Sequence, residues 1–259
     1  MITSTSNQRI KNVIQLSNKA KARREQNCYI VEGIRMFREA PRDKIREIYL
    51  TEELMKKEKL EECFSWGIPC ELVSEEVFSK MSDTKTPQGV LCVMDRPKYD
   101  LDAALAQENS LWVILEDIQD PGNLGTIFRT GEGAGITGVI MTKGTVDIFN
   151  PKTIRSTMGS IYRVPFFYIE EMDSLFTKLE ANHIISYAAH LKGNTNYDRF
   201  DYTKKTAFLI GNEGNGLTRE TAEKTSEYLR IPMEGQLESL NAAMACGILM
   251  YEAHRQRSL

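Results

Sequence analysis

Through the second half of this 259-residue chain, short uninterrupted apolar runs recur, each separated from the next by enough residues for a helix. The runs are Trp112-Val-Ile-Leu115, Gly138-Val-Ile-Met141, Val164-Pro-Phe-Phe-Tyr168, His183-Ile-Ile-Ser-Tyr187 and Ala207-Phe-Leu-Ile210. A strand with one face in water alternates polar and apolar residues, whereas a continuous run means that both faces are covered. Strands of that kind with helices between them predict a parallel sheet with helices on its faces, an α/β domain.

The first part of the chain alternates in the same way at smaller scale. Tyr29-Ile-Val31, Ile45–Leu50, Pro69–Val73 and Val90–Met94 read as strands. Helical patterns cover 6–26 with Ser6 as its cap, a turn or two over Gly33–Glu39, the charged stretch Glu52–Trp66, and a short helix opened by Ser74. A polar stretch broken by Pro97 follows. The expected organisation is a small α/β domain over 1–96, a linker over 97–109 and a second domain over 110–259.

No apolar run is long enough to span a bilayer and the first residues show no signal-peptide pattern, so a cytoplasmic protein is expected. The 5 cysteines have no C-x-x-C spacing and lie away from the histidines at ligand distances, so neither a disulfide framework nor a metal site is expected. A net charge of -3 argues against a surface that binds nucleic acid throughout. Yet among the first fifty residues eleven cations, including Lys21, Arg23, Arg24 and Arg35, face five anions. Such a patch is either a solvated helix face or a surface that tracks a phosphate backbone.

Gly133-Ala-Gly135-Ile-Thr-Gly138 satisfies G-x-G-x-x-G, but it ends a helical stretch and leads into a strand, the reverse of a dinucleotide fingerprint. No G-x-x-x-x-G-K-[ST] phosphate loop is present. More informative is Glu116 to Arg129. Asp120-Pro-Gly122 reads as a turn and Asn123 as a helix N-cap, with Leu124, Ile127, Phe128 and Gly131 on one face and Arg129 leaving from another. Two further segments, Ile210-Gly-Asn-Glu-Gly-Asn-Gly-Leu217 and Ile231-Pro-Met through Ser239-Leu-Asn-Ala242, place polar, glycine-bearing turns after apolar runs, where backbone can approach a small ligand closely. Ser239 is expected to start the last helix, whose stripe Leu240, Met244, Ile248 and Tyr251 suits a core or a dimer contact.

Asn123-Leu-Gly-x-x-x-Arg129-Thr, Gly211-Asn-Glu-Gly214 and Ile231-Pro-Met through Ser239-Leu-Asn241, in that order, resemble the SpoU/TrmH family of RNA 2′-O-ribose methyltransferases, in the SPOUT superfamily. Asn150-Pro-Lys-x-x-Arg155-Ser fits its middle segment, and Tyr29-Ile-Val-Glu-Gly33 with Thr86-Pro-Gln-Gly89 looks like its substrate-binding domain. The resemblance implies a C-terminal domain with a deep trefoil knot, S-adenosylmethionine held in the knotted loops, and a homodimer packed through that domain. It implies cofactor contacts at Leu209, Gly211, Asn212, Gly214, Ile231, Met233, Leu240 and Ala242, and catalytic roles for Asn123, Arg129, Glu213, Ser239 and Asn241. It also implies an RNA partner, large-subunit rRNA before tRNA; given such a partner, the basic N-terminal patch is read as a phosphate-tracking surface through Lys21, Arg23, Arg24 and Arg35, with Arg155 as a further contact near the active site. Gly131, Gly133 and Gly135 depart from the family's usual small residues, and they permit either closer packing or an early helix end. Two other readings stay open: a non-catalytic RNA-binding protein on the same fold, and an α/β enzyme acting on a free nucleotide or other small molecule.

Overall fold

A four-stranded sheet and a seven-stranded parallel sheet account for the apolar runs. They are seen in a computed structural model that describes residues 1–190, 193–236 and 239–259. The chain divides into two units, Met1–Lys98 with Asp147–Tyr162, and Tyr99–Val146 with Arg163–Leu259.

The first unit contains α1 (Gln8–Asn18), α2 (Ala20–Glu25), β1 (Cys28–Glu32), α3 (Ile34–Glu39), β2 (Ile45–Thr51), α4 (Glu52–Glu58), β3 (Cys70–Val73), α5 (Glu75–Met81) and β4 (Val90–Asp95). Its strands run in the order β1-β4-β2-β3, with β4 antiparallel to both neighbours and β2 parallel to β3. Ile10, Val13 and Leu16 of α1 bury the apolar stripe of that helix against Ile30, Tyr49, Phe78 and Leu91.

The second unit contains α6 (Leu101–Leu105), β5 (Leu111–Leu115), α7 (Pro121–Ala134) and β6 (Gly138–Thr142). The chain then contributes α8 (Pro151–Thr157) to the first unit. It returns as β7 (Phe166–Ile169), α9 (Met172–Ala181), β8 (Ile185–Ala189), β9 (Thr195–Asn196), β10 (Thr206–Ile210), α10 (Arg219–Glu223), β11 (Glu227–Arg230) and α11 (Ala242–Arg257). The strand order is β7-β6-β5-β10-β8-β11-β9, every pair parallel. Every residue of β5 and β10 is buried, as continuous apolar runs require of central strands. Trp112, Ile114, Ile140, Ala207 and Leu209 meet Leu175 and Leu179 of α9 in one core.

Several expectations change at the level of local chemistry. The first helix is capped by Asn7, whose side chain accepts from Arg9 N, instead of Ser6, and it breaks at Lys19, which is extended, so 6–26 holds two helices. Glu52–Trp66 likewise breaks where Lys59 adopts a left-handed conformation. Ser74 does cap α5. The expected linker holds the short helix α6, capped by Asp100. Residues 147–162 lie within the expected 110–259 span in chain order but pack with the first unit. There the Arg23 guanidinium pairs with Asp147 at 2.7 Å, Tyr29 meets Phe149, and the Tyr162 hydroxyl donates to Met36 O. No helix among the described residues is long and apolar enough to cross a membrane.

Candidate active site

In a sheet whose strands are all parallel, the segments that leave the carboxyl ends share one edge, and ligands of open α/β sheets bind there. Residues 116–120 leave β5, 211–218 leave β10, and 231–241 leave β11, so topology alone gathers the three motifs. Leu237 and Glu238 of the third segment lie outside the described residues.

The 211–218 segment folds back on itself. Gly211 is buried where a Cβ would lie well under 3.0 Å from the backbone of Gly216 and Leu217. Its φ is not left-handed, so glycine is required there by the crossing and not by torsion. Gly216 N donates to Asn212 O at 2.8 Å. The Asn212 side chain locks the turn from inside, its Oδ1 accepting from Gly214 N and Asn215 N and its Nδ2 donating to Asp117 O at 2.9 Å.

A chain of side-chain hydrogen bonds joins the three motifs. The Glu213 carboxylate accepts from Gln119 N, Asp120 N and Asn123 Nδ2, each at 3.0 Å. Asn123 Oδ1 accepts from Asn241 Nδ2 at 2.9 Å, and Asn241 Oδ1 accepts from Ala243 N and Met244 N at the start of α11. Burial pushes the Glu213 carboxyl up, but the bonds from Asn123 and from the backbone of Gln119 and Asp120 outweigh it, and its pKa lies below the usual 4.5.

This chain corrects two caps. Asp120, not Asn123, is the N-cap of α7, accepting from Asn123 N at 2.8 Å, because Pro121 carries the preset φ of a first helical residue. The Asn123 side chain is thereby released to bridge Glu213 and Asn241. Asn241, not Ser239, caps α11. The glycines after Arg129 do not shorten α7, which continues to Ala134 and closes on left-handed Gly135. Gly131 lets Ile136 and Met250 approach where a Cβ would clash with Ile136.

Beside the chain lies a cavity of about 310 Å³. Gly211, Asn212, Glu213, Gly214, Ile231, Met233, Ser239, Leu240 and Ala242 line it. Leu209 does not, since it is fully buried in the core of the sheet one residue before the strand ends. Ala189, His190, Leu217 and Leu229 also line the cavity and were not expected. The signal for the first two was available: they stand at the carboxyl end of β8, on the same edge. Arg129 is exposed on α7 and makes no ion pair or side-chain hydrogen bond among the described residues.

The first unit sorts the candidate RNA contacts. Lys21, Arg24 and Arg35 are exposed, with Lys21 and Arg35 beside Glu25 and Glu39. Arg155 pairs with Asp83 at 3.1 Å. Arg23 is 4% exposed and is held by Asp147 and by the carbonyls of Leu16 and Ser17. In this position it is a structural residue and not a phosphate contact. Burial pushes the Cys63 thiol up to about 11 and the Cys70 thiol up to about 12, so both are protonated at neutral pH. No group of three or more His, Cys, Asp or Glu that could hold a metal occurs among the described residues.

A parallel α/β sheet with a glycine-lined cavity at its carboxyl edge is the architecture in which open α/β sheets bind ligands. The chain belongs to the SpoU rRNA methylase family, whose model matches residues 110–251. Residues 7–92 match the MRM3-like substrate binding domain. The 23S rRNA (guanosine(2553)-2′-O)-methyltransferase RlmP of Bacillus subtilis is 34% identical over 252 residues, covering 96% of this chain and 97% of the relative. The AdoMet-bound rRNA methyltransferase of Sinorhizobium meliloti superposes with a TM-score of 0.87 at 32% identity, covering 98% of this chain and 97% of that one. The SpoU methyltransferase AviRb of Streptomyces viridochromogenes, in complex with AdoMet, superposes with a TM-score of 0.86 at 26% identity, over 97% and 98% of the two chains.

Proposed function

We propose that this protein transfers the methyl group of S-adenosylmethionine to a ribose 2′-hydroxyl in large-subunit rRNA. The observation that carries the reading is the bonded chain Glu213–Asn123–Asn241, which joins three motifs separated in sequence beside one cavity.

The residues present fit the cofactor. Gly211, Gly214 and Gly216 leave backbone open to the cavity, while Leu217, Leu229, Ile231 and Leu240 supply apolar walls for a purine. When bound, the sulfonium supplies a methyl carbon already activated toward a nucleophile. The protein's task is then alignment and charge. Backbone groups at Gly211, Ile231 and Leu240 hold the donor, with Asn212, Gly214, Met233 and Ala242 around it. Glu213, kept ionised by its three donors, fixes Asn123, and Asn123 fixes Asn241 and the first turn of α11, beside Ser239. Holding two reactants in line removes much of the entropic barrier.

Arg129 is exposed and uncommitted, which suits a fork that grips a phosphate next to the target ribose and stabilises negative charge developing on its oxygen. A guanidinium holds its proton tightly, so the proposed role is grip and charge stabilisation. Arg129→Lys keeps the charge but loses the fork, and its turnover is expected to fall about tenfold or more. Near-normal turnover would exclude a bidentate role.

Residues 1–96, with the segment 147–162 packed on them, serve as the RNA-binding domain, with Lys21, Arg24, Arg35 and Arg155 on phosphates, and the rest of 110–259 as the methyltransferase domain. The cofactor loops form a trefoil knot, and two copies pair through the second unit. Met244 and Tyr251, 60% and 48% exposed on α11, support that pairing, since the stripe they belong to is not the face that α11 buries. The reading has the protein act in the cytoplasm, where a ribosomal substrate is available. Ribose methylation compared across total RNA from cells with and without the protein tests the reading. One large-subunit position losing its methyl group is expected; loss in tRNA, or no loss, would redirect or remove it.

A further inference from the structure

Glu116 has no role in that scheme, yet it is 7% exposed, carries a carboxylate, and has no cationic partner among the described residues. It stands one residue past β5. Its backbone N–H donates to Ile210 O at 3.0 Å, adding one rung to the ladder between β5 and β10. Its side chain reaches the other end of the 211–218 segment: one oxygen accepts from Thr218 N at 2.7 Å, the other from Thr218 Oγ1 at 2.8 Å and Thr221 Oγ1 at 2.5 Å. Ile210 is the last residue before the segment and Thr218 the residue that caps α10 after it. One residue therefore grips the entry with its backbone and the exit with its side chain.

We infer that Glu116 is a positioning residue, a clamp that sets the shape of the cavity-lining turn Gly211–Leu217 and hence the affinity for the methyl donor. The inference rests on the cofactor reading above. Within that turn the close crossing at Gly211 fixes local shape, and the Asn212 bond to Asp117 O ties the entry side to the segment after β5. The bonds to Thr218 tie the exit to that segment directly. Burying a carboxylate without a cation is costly unless donors satisfy it, and one backbone N–H with two hydroxyls does so here.

The donor types make a chemical prediction. The oxygen facing Thr218 N must be an acceptor, because an amide N–H cannot reverse. The oxygen facing the two hydroxyls can be replaced by an NH₂ group, because a hydroxyl rotates and accepts. Glu116→Gln therefore retains the clamp, whereas Glu116→Ala abolishes it and leaves Thr218 N unpaired.

The test uses the full chain, with S-adenosylmethionine titrated by calorimetry and steady-state kinetics on rRNA. For Glu116→Ala the dissociation constant and the KM for S-adenosylmethionine rise about tenfold or more, while kcat at saturating donor stays within about threefold. For Glu116→Gln both stay within about threefold of wild type. Wild-type affinity in a folded Glu116→Ala variant, or equal loss in both variants, overturns the clamp. Hydrogen exchange reads the clamp without the cofactor: Glu116→Ala speeds exchange at residues 212–218 and leaves the amides of α1 and β1 protected, and unchanged exchange overturns it. If Glu116→Ala fails to fold, Thr221→Val removes one donor alone, and its donor affinity must fall measurably or the clamp is wrong. A wild-type chain that does not bind S-adenosylmethionine sinks the cofactor reading, and the exchange result still decides the clamp.

Discussion

Gly211→Ala adds one methyl group at the tightest crossing of the cavity. Its φ is not left-handed, so the substitution probes the space at the crossing. A Cβ would lie under 3.0 Å from backbone atoms of Gly216 and Leu217, whereas ordinary contact begins near 3.4 Å. Backbone cannot rotate away as a side chain can, so the two limbs of the turn must part. Overpacking of this kind costs about 1–3 kcal/mol. If the cost falls on the cavity geometry, affinity for S-adenosylmethionine drops by about fivefold to 150-fold. Gly135 supplies the control, because its φ of +75° is strained for most residues but a Cβ there meets nothing within 4 Å and it lies outside the cavity lining. Asn tolerates that torsion, so Gly135→Asn is expected to bind within about threefold of wild type. Calorimetric titration of both variants, with thermal unfolding alongside, separates lost affinity from lost fold. Wild-type affinity in Gly211→Ala would refute the argument that the crossing shapes the site.

Glu213 gives a prediction in pH. Its folded-state pKa lies below 4.5, so its contribution is complete above pH 4.5 and fades only as pH falls through the lower folded value. Donor affinity should therefore owe no change to this group between neutrality and pH 4.5, and Glu213→Gln should weaken binding at pH 7; a titration midpoint near neutrality abolished by that variant would contradict it. Arg23→Met removes a buried cation from Asp147 and is expected to cost about 3 kcal/mol in urea unfolding while leaving the salt slope of RNA binding unchanged. Replacing Lys21 and Arg24 with Ala should weaken RNA binding in a way that flattens that slope by about one to two charges, measured from affinity against salt concentration.

What the sequence discloses depends on whether a residue's surroundings are local. The runs at 111–115 and 206–210 announce central strands because burial on both faces leaves a continuous apolar signature. Glu227–Arg230 is also a strand, but only Leu229 in it is buried, so no pattern marks it. Arg23 reads as surface because its partner Asp147 is 124 residues away and charge alone says nothing of burial. Asp120 and Asn123 both cap helices well, and the sequence offers no way to see that one caps while the other bridges Glu213 and Asn241. Gathering of the first two motifs, by contrast, follows from where they stand: each comes after a strand that the sequence marks, and a parallel sheet sends such segments to one edge, where the third joins them behind the unmarked strand Glu227–Arg230.

Methyl transfer to ribose leaves a chemical mark that transfer to a base does not, because a 2′-O-methyl group blocks alkaline cleavage of the adjoining phosphodiester. Purified protein, labelled S-adenosylmethionine and unmodified large-subunit rRNA, followed by alkaline hydrolysis, therefore test the central claim. The account predicts label recovered in one alkali-resistant dinucleotide, and label absent, or released in mononucleotides, would contradict it.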